Sequence, residues 1–346
     1  MNRKIQLLKS ISRMEMSKED AQLLLDAINQ KQIDEEFLFL ACSHKLHNLL
    51  YKHIISLRKL FEIKKSVAFT LSERFIFTQQ RAAEYFNLVK ILVPLLKEAN
   101  INCLFLKGTS IASALYGRDN FIYRNFNDID ILISKEHAAR LKEILEFVGF
   151  VQGFVNDEYQ LVEANRKQKL YWSLNTHQEH KYLQSSSFST FSPWLYNCID
   201  VNTTIFQGGK ANEPLSTIEL LKHSRTNRSI NGIEFDSLDY TYELIQLCVH
   251  LYKDTFVYEI KKRQQEDYSL IKFCDIREFI LKYKTRINWQ EFLQITNLNG
   301  LGDHIYTILF LIANFYGDLE IDDIICEIAP KSNRFEIPDW EKVLLK

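Results

Sequence analysis

Proline and glycine are scarce in this chain, with five prolines and ten glycines among 346 residues. That composition excludes a Pro-rich or Gly/Ser-rich linker, and neither an internal repeat nor a low-complexity tract interrupts the sequence. Paired cysteines are also lacking. Cys42, Cys103, Cys198, Cys248, Cys274 and Cys326 stand apart, most of them in apolar segments. They exclude a CxxC zinc motif and read as reduced core thiols of a cytoplasmic protein. The most apolar late segment, 305–315, is too short to cross a bilayer, and the stretch 1–16 is broken by Lys, Arg, Ser and Glu, so no membrane span or secretory signal is expected. Charge of one sign is missing too: 43 basic and 44 acidic residues leave a net charge of −1. This argues against a nucleic-acid coat or a polybasic membrane anchor, so any anion site must be local.

The length exceeds that of a usual single core and predicts two or three packed regions that share interfaces. From 18 to about 100 the apolar period is helical, through Leu23, Leu24, Leu25 and Ile28, then 37–51, then Phe86, Val89, Leu92, Val93 and Leu96, with Pro94 a possible kink. The run 101–106 is short and apolar, bounded by Asn100 and Gly108, and reads as a strand. A compact helix over 109–116 follows, then a strand over 128–133. A helix capped by Ser134 comes next and is stopped by Gly149. Further β-like stretches are 169–174 and 197–205, and from 217 onward the helical period returns. The regions expected are a helical one over 1–100, an α/β core over 101–210 and a second helical one over 211–346.

What stands out is Asp128-Ile129-Asp130 inside an apolar run. Strand side chains alternate, so both carboxylates share a face. Two such charges repel and resist burial unless a cation or basic side chain lies between them, and the pair predicts a metal site. Alternation over 197–205 puts Cys198, Asp200, Asn202 and Thr204 on one face and makes Asp200 a third strand-borne carboxylate. Upstream, Leu106-Lys107-Gly108-Thr109-Ser110 forms a glycine-led turn into a helix. Gly108 permits close backbone approach to phosphate, and Thr109 and Ser110 offer hydroxyl and amide donors there. Lys107 or Arg124 would balance phosphate charge, although alternation at a strand end also allows Lys107 to point away and cover the sheet with its stem.

These motifs, with Leu115-Tyr116, Ile199-Asp200-Val201-Asn202, Leu247-Cys248-Val249-His250-Leu251 and Asp275-Ile276, resemble an uncharacterised bacterial nucleotidyltransferase family. That family belongs with the polymerase-beta-like nucleotidyltransferases and is associated with polysaccharide and peptide natural-product gene clusters. The resemblance covers most of the chain. It implies a mixed α/β (α+β) nucleotidyltransferase core with a mixed sheet, flanked by amino- and carboxyl-terminal helices. The implied reaction moves a nucleoside monophosphate from a nucleoside triphosphate to a hydroxyl or phosphate of a small-molecule, sugar or peptide acceptor, releasing pyrophosphate. It also implies Mg²⁺ or Mn²⁺ held by Asp128 and Asp130, with Asp200 as a further ligand or as the base, and nucleotide binding by Lys107, Gly108, Thr109, Ser110 and Arg124. Gly108 precedes Asp128 by twenty residues, against about a dozen in familiar superfamily members. The resembling family shares this wider spacing, as do abortive-infection nucleotidyltransferase toxins. Many of its members carry a histidine where Asn202 stands.

Blander readings accompany these. An isolated Asp-x-Asp usually caps a turn, but here isoleucines surround it. His177, Glu179 and His180 fit no zinc spacing and read as solvent- or substrate-facing. His250 and Asp275 read as an inter-helix hydrogen bond. The aromatic tract from Tyr159 to Tyr196 reads as packing, and Lys261-Lys262-Arg263 reads as a solvated face. Two other functions remain open: a catalytically silent nucleotide- or peptide-binding module, and a toxin-like enzyme acting on transfer RNA.

Overall fold

The computed structural model describes residues 2–117, 121–125, 128–175, 178–187, 196–205, 217–223, 225–230, 232–256, 269–330 and 339–345. Its chain divides into two compact units, one of residues 1–81, 119–125 and 244–346, the other of 82–118 and 126–243. The first is helical among its described residues. Its helices start where short polar side chains satisfy free backbone N–H groups. Ser17 and Asp20 cap each other ahead of Lys18–Asn29, Asp34 accepts from the Phe37 amide, and Asn288 accepts from the Glu291 amide. The helix Lys65–Glu98 runs through Pro94, and its residues up to Arg81 belong to this unit.

Polar side chains tie the interior of the helical unit. Asp318 accepts from Arg277 Nη2 at 2.6 Å and Nε at 3.1 Å, and it also pairs with Arg13. Both guanidinium groups lie against the Tyr316 ring, at 5.4 and 5.1 Å from its centroid. The Tyr316 hydroxyl donates to Ser12 Oγ at 2.8 Å. The chain then turns at Gly317, whose φ of 75° is left-handed and suits a residue without Cβ.

The second unit is built on one eight-stranded sheet. Its strands are β1 (Cys103–Leu106), β2 (Ile129–Ile133), β3 (Val151–Val155), β4 (Leu161–Glu163), β5 (Tyr182–Ser185), β6 (Tyr196–Asn202), β7 (Arg225–Ile230) and β8 (Ile233–Leu238). The order across the sheet is β4-β3-β5-β6-β2-β1-β8-β7. β2 pairs antiparallel with β1 and parallel with β6, and β1 pairs parallel with β8, so the sheet is mixed. β2 lies at the middle and all five of its residues are buried. Its Ile129, Ile131 and Ile133 face the core with Ile199 and Val201 of β6, which is why the carboxylates fall on the opposite face.

Two readings of the sequence are corrected here. The segment read as β-like at 169–174 lies in the helix Arg166–Asn175. Asn165 and Gln168 cap one another across the first turn, at 2.9 and 3.0 Å, and this local bonding outweighs the β-like composition. The region read as helical from 217 onward holds a hairpin, β7 and β8, that completes one edge of the sheet. β7 reads Arg-Thr-Asn-Arg-Ser-Ile, too polar for an apolar alternation to reveal, because only Arg228 and Ile230 of it are buried. β1, β2 and β6 lie where the sequence placed strands, β3, β4 and β5 fall in segments it did not single out, and the compact helix after β1 runs Lys107–Ile111 and continues as a wider π-helical turn over Ala112–Tyr116.

Candidate active site

The parallel pairing of β2 with β6 sets Asp130 directly beside Asp200. Side chains so paired share a face, and Asp128, two residues before Asp130, is charge-coupled to both. Asp130 is 2% exposed and Asp200 7% exposed, so neither can dispose of its charge in water. Burial, followed by the charges of Asp130 and Asp200, pushes the Asp128 carboxyl up to about 7. Burial and Asp130 likewise raise Asp200.

Lys107 is the closest counter-charge. Its Nζ reaches Asp130 Oδ1 at 2.6 Å. Strand alternation alone would turn this side chain away. Instead Lys107 adopts a left-handed φ of 47°, which reverses the chain between β1 and the following helix and brings the ammonium to the carboxylates. A lysine there bears roughly 1 kcal/mol or more of backbone strain, so the surrounding contacts must hold it. Burial disfavours the ammonium, but Asp130, Asp128 and Asp200 outweigh that cost and hold Lys107 charged, above its ordinary range.

Two further partners, Lys181 and Gln178, come from positions the sequence did not single out. Tyr182 of β5 pairs with Ile199, and the register continued by one residue sets Lys181 beside Asp200, with Nζ 3.9 Å from Oδ1. Gln178 bridges to Asn202 by backbone and side chain, with Nε2 3.1 Å from Asn202 Oδ1 and 3.5 Å from Asp200 Oδ2. Antiparallel pairing to β6 was the missing signal, since no local motif marks either residue. The Cys198 thiol donates to Asp200 Oδ1 at 3.4 Å. Buried Asn202 donates from Nδ2 to Asp130 Oδ1 and to the Ile131 carbonyl, each at 3.2 Å.

Gly108, Thr109 and Ser110 all lie in the buried helix that leaves Lys107. Thr109 is 1% exposed, and its hydroxyl has no hydrogen-bond partner among the described residues. Ser110 lies close to Glu243, short of a formed hydrogen bond, and Glu243 is held by Arg228 Nη2 at 2.5 Å. Arg124 belongs to the helical unit, where its Nε and Nη2 each reach Asp275 Oδ2 at 2.8 Å.

Other sequence readings resolve more simply. Asp275 is thus an ion-pair partner, and His250 bonds Asp254 one turn along its own helix at 3.1 Å. His180 is not solvent-facing: it is 7% exposed and packs on Trp172, with ring centroids 5.2 Å apart. His177 and the 261–263 basic run lie outside the described residues, as do Phe188, Phe191 and Trp194 of the aromatic tract. All six cysteines are free of disulfides; Cys248 and Cys274 are buried and Cys326 is exposed. No helix among the described residues is long and apolar enough to cross a membrane.

Three carboxylates facing two ammonium groups leave one formal negative charge in excess. Hard oxygen donors with surplus negative charge are the chemistry that suits Mg²⁺ or Mn²⁺. Among the described residues, no three His, Cys, Asp or Glu side chains already converge as a metal cage. Asp130 is turned onto Lys107 instead. A mixed sheet carrying strand-borne carboxylates beside a glycine-led turn is consistent with a nucleotidyltransferase fold. The chain belongs to the family described as "Uncharacterised nucleotidyltransferase", whose model matches residues 30–317. It is an enzyme of nucleotidyl transfer, with a nucleoside triphosphate as substrate. No curated protein matches the chain.

Proposed function

We propose that this protein transfers a nucleoside monophosphate from a nucleoside triphosphate to a hydroxyl or phosphate of a small-molecule, sugar or peptide acceptor. The observation that carries the reading is the Asp130–Asp200 pairing across β2 and β6, with half-buried Asp128 completing a cluster of surplus negative charge. Asp128, Asp130 and Asp200 would hold Mg²⁺ or Mn²⁺, which supplies charge neutralisation on the phosphates and lowers the pKa of an attacking hydroxyl.

The residues of the chain do the rest. Gly108 lets the backbone come close to the phosphates, and the Thr109 hydroxyl, which has no partner among the described residues, offers them a donor. Asn202 and Gln178 orient Asp130 and Asp200 through their amides. The acceptor oxygen forms a bond to the α-phosphorus as the bond to the bridging oxygen breaks, and pyrophosphate leaves with that electron pair. Asp200 takes the acceptor proton. Positioning and charge balance are then most of the catalysis.

The test incubates the protein with each common nucleoside triphosphate labelled at the α-phosphate, Mg²⁺ or Mn²⁺, and panels of sugar, peptide and small-molecule acceptors. Label should pass to an acceptor with release of pyrophosphate, and Asp200→Asn should abolish it. Label moving to transfer RNA alone would overturn the acceptor class. Nucleotide binding with no transfer to any acceptor, unchanged in Asp200→Asn, would make the protein a binding module.

A further inference from the structure

The ammonium of Lys107 sits where a cation among the carboxylates belongs. Its Nζ is 2.6 Å from Asp130 Oδ1, the same oxygen that Asn202 bonds at 3.2 Å. Asp130 is 2% exposed, while the Lys107 side chain is 15% exposed, so the lysine is the member of the pair that reaches toward solvent. The left-handed backbone of Lys107 is a second observation: a non-glycine residue is held in a strained conformation whose effect is to aim its ammonium at this carboxylate.

We infer that Lys107 is an exchangeable counter-ion, which holds the carboxylate cluster together until a divalent cation displaces it from Asp130. The inference rests on the proposed metal site and goes beyond it by assigning the resident charge that the metal must replace. The ammonium then leaves Asp130 for the solvent side, where an incoming triphosphate is the anion it would meet. Two cations cannot share one carboxylate oxygen at contact distance without strong repulsion, so metal entry and the Lys107–Asp130 pair exclude one another. The pair therefore lowers apparent metal affinity, because binding must first break a buried ion pair.

Mn²⁺ binding, followed by electron paramagnetic resonance without nucleotide, reads this directly. Lys107→Asn removes the ammonium while keeping a residue that tolerates left-handed φ. The variant should bind Mn²⁺ at least about tenfold more tightly than the parent and should gain more melting temperature from the ion. Equal Mn²⁺ affinity in parent and variant would overturn the inference while leaving the metal site standing. Absence of Mn²⁺ binding in both would overturn the metal site and the inference together. A measurement on the parent protein needs no variant to fold: acylation of Lys107 by an amine-reactive reagent, read by mass spectrometry, should rise several-fold when Mn²⁺ saturates. Unchanged labelling at saturating Mn²⁺ would likewise contradict displacement.

Discussion

In the helical unit the Asp318 carboxylate meets two guanidinium groups, Arg13 and Arg277. In the sheet unit three carboxylates meet two ammonium groups. Burial alone would raise Asp318, but hydrogen bonds from Arg277 and Arg13 hold its carboxyl below the ordinary range. Asp128 goes the other way, up to about 7, because burial is reinforced by Asp130 and Asp200 before Lys107 and Lys181 relieve it. Arg13 also pairs with Asp20 at 3.3 Å and Arg277 with Glu278, so ion pairs tie the helical site together, whereas in the sheet cluster Asp128 and Asp200 are both raised above the ordinary carboxylate range. Charge left unbalanced in a folded interior costs free energy, and it persists where something from outside the chain completes it.

The largest effect expected is on the sheet side. Asp130→Asn removes the central carboxylate, and nucleotidyl transfer should fall by roughly a thousandfold or more, on the order of 4 kcal/mol of transition-state stabilisation. Steady-state label transfer checks this, and activity within about tenfold of the parent would place Asp130 outside the chemistry.

Acid should act first on the helical unit. Burial holds His53 down at about 4, with the Lys52 charge adding to it, and holds His47 at about 4 with help from Arg74. Both lie below the ordinary 6.5, so the unfolded chain binds more protons than the native one between pH 6.5 and 4. The stability these sites contribute is complete above pH 6.5 and is lost as pH falls toward 4, by about 3 kcal/mol at most for each histidine. Urea midpoints measured across that window should fall with pH, and His53→Gln should flatten the slope.

Asp318→Ala sharpens the comparison by breaking the balanced site. It leaves Arg13 with Asp20 and Arg277 with Glu278 but removes the carboxylate the two share, and should cost about 2 kcal/mol of stability, discounted because Asp318 is one-third exposed. Activity per folded molecule should stay at the parent level, in contrast to Asp130→Asn. Calorimetry and label transfer on the same preparation separate the two. The smallest effect belongs to Lys169→Ala, which removes a surface pair with Glu163 at 2.8 Å and should leave the urea midpoint unchanged, because water screens so exposed a pair.

The sequence made the carboxylates legible because strand alternation is a rigid rule: Asp128 and Asp130 had to share a face, as did Cys198, Asp200 and Asn202. Isoleucines between them made a surface turn implausible. The helix Arg166–Asn175 was missed because a capping pair, Asn165 and Gln168, decided a segment whose composition pointed the other way. The hairpin of β7 and β8 had a readable sign in Asn231-Gly232, a dipeptide favoured in tight turns, but the helical period around it dominated. Lys107 was seen as a phosphate counter-charge or a cover for the sheet. Its actual direction depends on one positive φ, which no pattern of residue types reveals. Lys181 and Gln178 reach the site through pairing of distant segments, information that a local reading does not contain.

The account turns on whether the acidic cluster is a divalent-cation and nucleotide site. Melting temperature measured with ATP, GTP, CTP and UTP, each with and without Mg²⁺, tests it most directly. A rise of several degrees with at least one nucleotide, present only with Mg²⁺ and lost in Asp128→Asn, is the predicted result. Melting temperatures unmoved by every nucleotide with Mg²⁺, or moved equally in Asp128→Asn, would contradict it.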